Sequence, residues 1–408
     1  MRVHVLVLNF NGRHLLAECL PSVVEAARAS RHSCHVAVVD NDSSDGSIDW
    51  LAEHFAEVQA IRRPNRGLAS FNDVVPGLPG PVVMLLNNDV KLALNAIDPL
   101  VAPLGIAQGD PRCFMTTPLC WRFDGRTYEG SKTAVRWRWG LVEATALFPG
   151  CEGGIFAPGL TASAGSVLAV DREIFAALGG FDPVYRPGRI EDLDLAFRAY
   201  LAGYHARYVP EAVAYHRGMA TFGEVFGPSG CDHLALRNTL LFQWKNLRHP
   251  AHLVRQAAGL PVRLLADCLR APALPREKRW PFVRALVAAL QCQRRGCETP
   301  FLPCGCCEAP LFPCGSEVGG EGASGARWSP RALAREQAYF RRFHPRRMKK
   351  VSSSVETTRR RAGPLGWRKR GDLDPRPTRR CPDLGEGSPF GMPHHGLAEQ
   401  DLATSDML

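Results

Sequence analysis

The chain has 408 residues, room for two or three domains, and a hydrophobic fraction of 45%, ordinary for a globular protein. Its formal charge of +10 is unevenly placed: residues 1–250 hold 23 Lys+Arg against 25 Asp+Glu, a net of −2, and residues 251–408 hold 27 against 15, a net of +12. No stretch approaches ~18 uncharged apolar residues, which argues against a membrane span, and the apolar run Val3–Leu8 ends at Asn9, too short for a signal-peptide core.

Val3–Leu8 reads as a first strand, followed by the turn Asn9-Phe10-Asn11-Gly12 and a helix over His14–Ala29 with Leu15, Leu16, Cys19, Leu20, Val23 and Val24 at helical spacing. Val36–Val39 is a second strand. It runs into Asp40-Asn41-Asp42-Ser43-Ser44-Asp45-Gly46-Ser47, with Ser47 the expected N-cap of a helix over Ile48–Phe55. Val58–Arg62 is a short strand, and Asn65-Arg66-Gly67 leads into a helix carrying Asn72. Val82–Leu86 is short, uncharged and β-branched at its start, the mark of a strand buried on both faces. It stops at Asn87-Asn88-Asp89. Taken alone, that cluster reads as a solvated turn. Strand, helix, strand, helix, strand is instead the pattern of a parallel sheet, whose carboxyl edge is where ligands bind. That edge would carry Asn9, Asp40, Arg66 and Asp89.

Residues 105–160 read less clearly, with strands over Cys113–Leu119 and Trp121–Phe123. Trp137, Trp139 and Phe148 suggest either a surface for an acceptor or aromatics packed under loops. Thr161–Val170 alternates like a strand, and Asp171–Leu178 is a helix stopped by Gly179-Gly180. Glu191-Asp192-Leu193-Asp194 opens a helix that ends at Gly203, its acids suiting the helix dipole. Ala206–Val209 and Ala212–Tyr215 read as short strands, the second reaching His216.

These motifs, in this order, make the chain resemble a family 2 glycosyltransferase of the GT-A fold, on the rhamnosyltransferase-like branch. The matching stretches are Val7–Gly12, Val39–Ser47, Asn65-Arg66-Gly67 with Asn72, Leu86–Asp89, Gly179–Asp182, Glu191–Asp194 with Arg198 and Gly203, and His216, covering roughly residues 1–245. The resemblance implies an α/β GT-A fold with a mostly parallel central sheet and flanking helices. It implies an inverting, metal-dependent transferase that moves a sugar from a UDP- or dTDP-linked donor to a glycan or lipid-linked acceptor, as in cell-surface polysaccharide synthesis.

Residue by residue, the resemblance makes Asp192 the base that takes the acceptor proton. Asp89, with His216, becomes the holder of Mn2+ or Mg2+ at the diphosphate. Asn9, Asp40, Arg66, Asn87 and Asn88 become contacts to the nucleotide, Asp40 accepting the imide N–H of uracil or thymine. The triplet departs from the family's aspartate-rich motif: only its last position is acidic, which weakens the case for tight metal binding. Each assignment has a plainer alternative. Asp40 can be a turn residue, His216 can cap a strand end, and the acids from 191 to 194 can simply decorate a helix start. Two other functions stay open. A nucleotidyltransferase would want a Gly-rich basic loop after the first strand, which Asn9–Gly12 lacks. A nucleotide-sugar-binding protein with a weakened site is suggested by Asn87.

Beyond residue 245, Leu236–Leu247, Leu253–Leu269 and Phe282–Leu290 are apolar at helical spacing, with Arg237, Lys245, Arg255, Arg263 and Arg270 between. They read either as helices packed on the core or as basic amphipathic helices lying on an anionic membrane. The expected division is a transferase domain over 1–245, a helical segment over 246–290 and a low-complexity, largely disordered basic tail over 291–408. Within that tail Arg327–Phe343 reads as a single helix, and its Arg runs point to no specific nucleic acid. Six of the 14 cysteines fall between Cys292 and Cys314. Cys304-Gly305-Cys306-Cys307 lacks a partnering pair or histidine for zinc, and scattered thiols suit a cytoplasmic, reduced protein.

Overall fold

The computed structural model describes residues 1–348, apart from 108, 219, 274, 276–278 and 295–328. Cys304–Cys307 and the Arg runs after residue 350 lie outside the described residues.

The N-terminal half alternates as the sequence predicts: β1 (Arg2–Asn9), α1 (Arg13–Ala29), β2 (Ser33–Asp40), α2 (Ser47–His54), β3 (Gln59–Arg62) and β4 (Val82–Asn87). The segment carrying Asn72 is a 3-10 turn, Gly67–Asp73, rather than an α-helix. The N-cap of α2 is Gly46 at φ 75°, and Ser47 bonds instead to Asp45. A tight left-handed turn is needed there, and Gly adopts it without strain.

After β4 come β5 (Val90–Leu92) and α3 (Ile97–Val101), then β6 (Cys113–Arg122), β7 (Tyr128–Gly130), β8 (Ala134–Arg138) and β9 (Leu141–Thr145). β10 (Gly159–Thr161), β11 (Val167–Asp171), α4 (Arg172–Ala177), α5 (Glu191–Ala202) and β12 (His205–His216) complete the sheet region. The stretch Thr161–Val170 is broken into β10 and β11, whereas β12 runs unbroken through a register shift between Val209 and Val213.

The strand order is β10-β12-β6-β11-β4-β1-β2-β3, with β5 added beside β12 and β7 beside β6. Pairing is parallel from β3 to β4 and mixed beyond, since β11 runs antiparallel to both β4 and β6. Alternation along the strands fills two cores. Val3, Val5, Val7 and Met84 face α1, while Leu6, Val83 and Leu85 face Phe71, Phe175 and Phe181.

A third core lies among helices: α6 (Ala220–Asn246), broken at Gly227, then α7 (Pro250–Arg270), α8 (Pro281–Arg294) and α9 (Pro330–Arg342). It joins Phe197 of α5 to Phe242, Tyr339, Phe340 and Phe343. The expected boundary at 291 therefore fails for residues 330–348, which belong with all other described residues to one contact unit, Met1–Leu365. The reason is aromatic burial. Tyr339 meets Phe197 edge-on at 4.8 Å, and its hydroxyl donates to the Ala162 carbonyl at 2.9 Å. Glu336 is fully buried. Its carboxylate accepts from the backbone N–H groups of Arg248 and His249 at the start of α7 and pairs with His252 at 2.6 Å.

Trp137 stacks on His252 and meets Phe340 at a tilt, and Phe148 is buried, so these two follow the alternative of aromatics packed inside; of the three only Trp139, 51% exposed, lies on the surface. Among the described residues no helix is long and apolar enough to cross a membrane, and all eight described cysteines are free thiols.

These contacts make α9 part of the folded body. Phe343→Ala should cost about 3–5 kcal/mol, as deletion of a fully buried aromatic does, and a chain ending at Arg294 should be less stable still. Urea unfolding of the three proteins measures both effects; equal midpoints would show that α9 adds nothing to the fold.

Candidate functional site

Parallel pairing sets the site. Asn9 at the end of β1 is the register partner of Asp40 at the end of β2, and Leu8 is the partner of Asn87 at the end of β4. Three strands thus deliver their polar ends to one edge. There Asn9, fully buried, donates to Asp40 at 2.9 Å and to Ser43 at 3.2 Å, and accepts from Asn88 at 2.8 Å. Gly12 leaves the space: a Cβ on it would stand 2.1 Å from the Asn88 amide nitrogen. Asp40 is 1% exposed, its second oxygen accepting from the Ser43 N–H. Asn9, Asp40 and Asn88 therefore brace one another at the edge, all three buried. Arg66 is half exposed and pairs with Asp73 at 3.3 Å, and Asn87 is partly exposed.

Asp89 and His216 come together because β12 pairs β5 antiparallel, with His216 opposite Val90. His216 Nε2 stands 3.3 Å from Asp89 Oδ1, and Nδ1 stands 3.5 Å from Glu129 of β7. Burial pulls the imidazole down, but the two carboxylates outweigh it and push its pKa up to about 9. Glu129 is held by Arg122 at 2.8 Å. Burial pushes its carboxyl up, but His216 and Arg122 prevail and keep it below the usual carboxylate range.

Asp192 stands in the first turn of α5. Its Oδ2 accepts from the Ser163 hydroxyl and, at 2.9 Å, from the Gly165 N–H; among the described residues nothing engages its other oxygen. The next residue, Ser166, accepts the Asn87 N–H at 3.2 Å. The loop that holds Asp192 is therefore hydrogen-bonded to the end of β4, two residues before Asp89.

The neighbouring acids differ from it. Enclosure of its carboxyl end, and then the Asp192 charge, raise Glu191 to about 8, so it is neutral at pH 7. Asp194 is fully buried and points away from the edge. It accepts from Tyr185 at 2.8 Å, Arg198 at 2.7 Å, Asn246 at 2.6 Å and Lys245 at 3.1 Å. Burial disfavours its charge, but Lys245 and Arg198 outweigh burial and hold it well below the usual range. Lys245 also meets Asp182 at 2.5 Å.

The fit of a divalent cation can be tested on these donors. Two ligands of one octahedral ion, each at about 2.1 Å, stand about 3 Å apart, close to the Asp89–His216 spacing of 3.3 Å; the cation would displace the proton that the two carboxylates stabilise on the imidazole. Asp89 Oδ1 is buried without a hydrogen bond, an acceptor left open. No third metal-binding side chain joins them among the described residues, so such an ion would need diphosphate oxygens and water to complete its shell. Sequence reasoning missed Glu129, Arg122 and Ser163. Glu129 lies on a short hairpin with no motif of its own, and only the β6–β7 pairing carries it to His216.

Part of this chain is similar to known proteins. Residues 4–122 match the description Glycosyl transferase family 2. A Drosophila melanogaster protein bearing the name polypeptide N-acetylgalactosaminyltransferase 10 is 22% identical over 244 residues, 56% of this chain and 38% of its own length. The alignment thus spans well under two thirds of that relative. Among solved structures, GalNAc-T7 with UDP, GalNAc and Mn2+ is 20% identical, covering 60% of this chain and 48% of its own at a TM-score of 0.44. TarS 1–349 of S. aureus with UDP-GlcNAc is 12% identical, covering 88% and 92% at 0.46. Asn9, Asp40, Arg66 and Asn87–Asp89 all fall within the matched residues, whereas Asp192 and His216 lie beyond them and join the site only through the sheet. Residues 4–122, from β1 to the end of β6, are the part of this chain that matches glycosyl transferase family 2.

Proposed function

We propose that the chain is an inverting GT-A glycosyltransferase that moves a sugar from a nucleotide-diphosphate donor to an acceptor hydroxyl. The observation that carries this reading is the shared edge: one carboxylate with an open oxygen, Asp192, is tethered through Gly165 and Ser166 to the strand end that bears Asp89.

In this reading Asp192 takes the acceptor proton as the hydroxyl attacks the anomeric carbon, while Ser163 and Gly165 fix the carboxylate's direction. Glu191, neutral at pH 7, does not compete as a base. Asp89 and His216 would hold Mn2+ or Mg2+, which when bound supplies positive charge to the leaving diphosphate. Asn87 and Arg66, both partly exposed at the edge, would contact the donor. Asp40 would act through the Asn41–Asp45 loop it stabilises, against which a UDP or dTDP base rests. A second reading, a donor-binding protein with weak catalysis, is favoured by Asn88, which is turned inward to Asn9 and leaves a single acid in the triplet.

In the same reading the acceptor is a glycan or lipid-linked hydroxyl, and the motifs resemble those of the rhamnosyltransferase-like branch. Support for an acceptor at a lipid surface comes from α7. The helix packs inward through His252, Gln256, Gly259 and Asp267. Val254, Leu265 and Leu269, at 66%, 59% and 73% exposure, face out with Arg255 also exposed, and its one acid is buried. A helix with that pattern suits the interface of an anionic bilayer.

Asp192→Asn keeps an acceptor oxygen for the Gly165 N–H but cannot take a proton, so turnover should fall ~10²–10⁴-fold with donor affinity nearly intact. Glu191→Gln should cost less. NMR coupling at the anomeric carbon of the product should show inversion; retention, or wild-type turnover in Asp192→Asn, would sink the assignment. Asp89→Ala should abolish Mn2+-dependent binding of UDP or dTDP in calorimetry, and unchanged affinity would remove Asp89 from the site. Donor hydrolysis without transfer to any acceptor would favour the second reading. For α7, Leu265→Glu with Leu269→Glu should lower pelleting with phosphatidylserine vesicles at least about tenfold, given ~1.5–3 kcal/mol for each large apolar side chain buried. Equal pelleting would place membrane contact elsewhere.

A further inference from the structure

His216 closes β12 between two partners. On one side lies β5, with Asp89 in the turn just before it; on the other lies β6, where Arg122 is the register partner of His216, and beyond it β7 with Glu129. The imidazole is thus gripped at both nitrogens by carboxylates from different hairpins. The two carboxylates are not alike. Asp89 is 7% exposed and its Oδ1 accepts no hydrogen bond. Glu129 is committed: its Oε2 accepts from Arg122 Nε at 2.8 Å, and its Oε1 lies 3.5 Å from His216 Nδ1. Room for it is built into the backbone. Gly218, at φ 69°, leaves space where a Cβ would stand 2.6 Å from Glu129 Oε1.

We infer that Glu129 is a positioning residue for the cation site: by taking Nδ1 of His216 it fixes the ring so that Nε2 is presented to Asp89 and to a divalent ion bound beside it. Ligating histidines commonly donate their other ring N–H to a carboxylate, which fixes tautomer and orientation and makes the ligating nitrogen more basic. Here the carboxylate is in turn anchored by a guanidinium, so Arg122, Glu129 and His216 form a relay of fixed direction across β6, β7 and β12. Glu129 cannot itself share the ion, since it faces the opposite ring nitrogen, which agrees with the absence of a three-donor cluster among the described residues. The inference rests on the metal reading proposed above.

The test is Mn2+ affinity in the presence of UDP, by electron paramagnetic resonance on the full chain, for wild type, Glu129→Ala, Glu129→Gln, His216→Ala and the Glu129→Ala/His216→Ala pair. Glu129→Ala should weaken Mn2+ about 10–100-fold. Glu129→Gln, which keeps an acceptor oxygen for Nδ1–H, should stay within a few-fold of wild type. In the His216→Ala background, Glu129→Ala should add nothing. If the alanine variant does not fold, Glu129→Leu carries the same expectation. Unchanged affinity in the apolar variant overturns the role, as does a loss of equal size when His216 is already absent. Should wild type bind no Mn2+ with UDP, the metal assignment itself falls and this role with it; binding by wild type with no effect of Glu129 removes this role alone.

Discussion

The interaction on which the rest of the structure depends is the buried carboxylate of Asp194. Four groups converge on it from three places in the chain: Tyr185 before α5, Arg198 within it, and Lys245 and Asn246 at the end of α6. Arg198 reaches on to the carbonyls of Leu178 and Gly180, and Lys245 to Asp182. Charges of both signs are thus matched out of water, and removing one partner from such a set costs about 3–5 kcal/mol because the other is left uncompensated. The network fixes where α5 begins. Asp192 lies two residues before Asp194, so the direction of the exposed acid is set by the anchoring of the hidden one.

A second constraint is register. The polar ends of β1, β2 and β4 stand level because their parallel pairing keeps Asn9, Asp40 and Asn87 in line. Antiparallel β11 then turns the loop holding Ser163 and Gly165 to the same edge, and β12 brings His216 beside Asp89 through its pairing with β5. Slipping any of these pairs by one residue would send its side chains to the opposite face. Sheet pairing therefore brings the candidate groups to one edge, and the left-handed turns at Gly165 and Ile190 set the loop and helix start around Asp192.

Much of this was readable in the sequence, for identifiable reasons. The strand and helix alternation up to Asp89 follows from hydrophobic periodicity, and the polar strand ends mark the edge without reference to structure. What could not be read is which polar group faces inward. Asp40 and Asn88 look like ligands in the sequence, and in the fold both also hydrogen-bond to the buried Asn9. Asp194 looks like a helix-start decoration, yet it is paired with Lys245, the one cation in the apolar run LLFQWKNL, where pattern alone leaves open whether the helix packs on the core or lies on a membrane. Glu129 carries no local signal at all, since its role comes from a three-residue strand beside β6. The helix over residues 330–342 was visible as periodicity, but its partners lie in α5 and at the start of α7, and composition alone placed it in a tail.

The Glu336 carboxylate also orders events during synthesis. The N–H groups of Arg248 and His249, in the turn that leads into α7, are received by an acid that lies 84 residues downstream of His252. While the chain grows from its N-terminus, as domains do on the ribosome, the parallel strands and their edge can assemble long before that acid emerges. The start of α7 and the aromatic face of α5 must wait for it. A nascent chain at that stage holds a nearly complete sheet while the face of Phe197 that Tyr339 and Phe340 cover is still bare, an apolar surface that chaperones can reach.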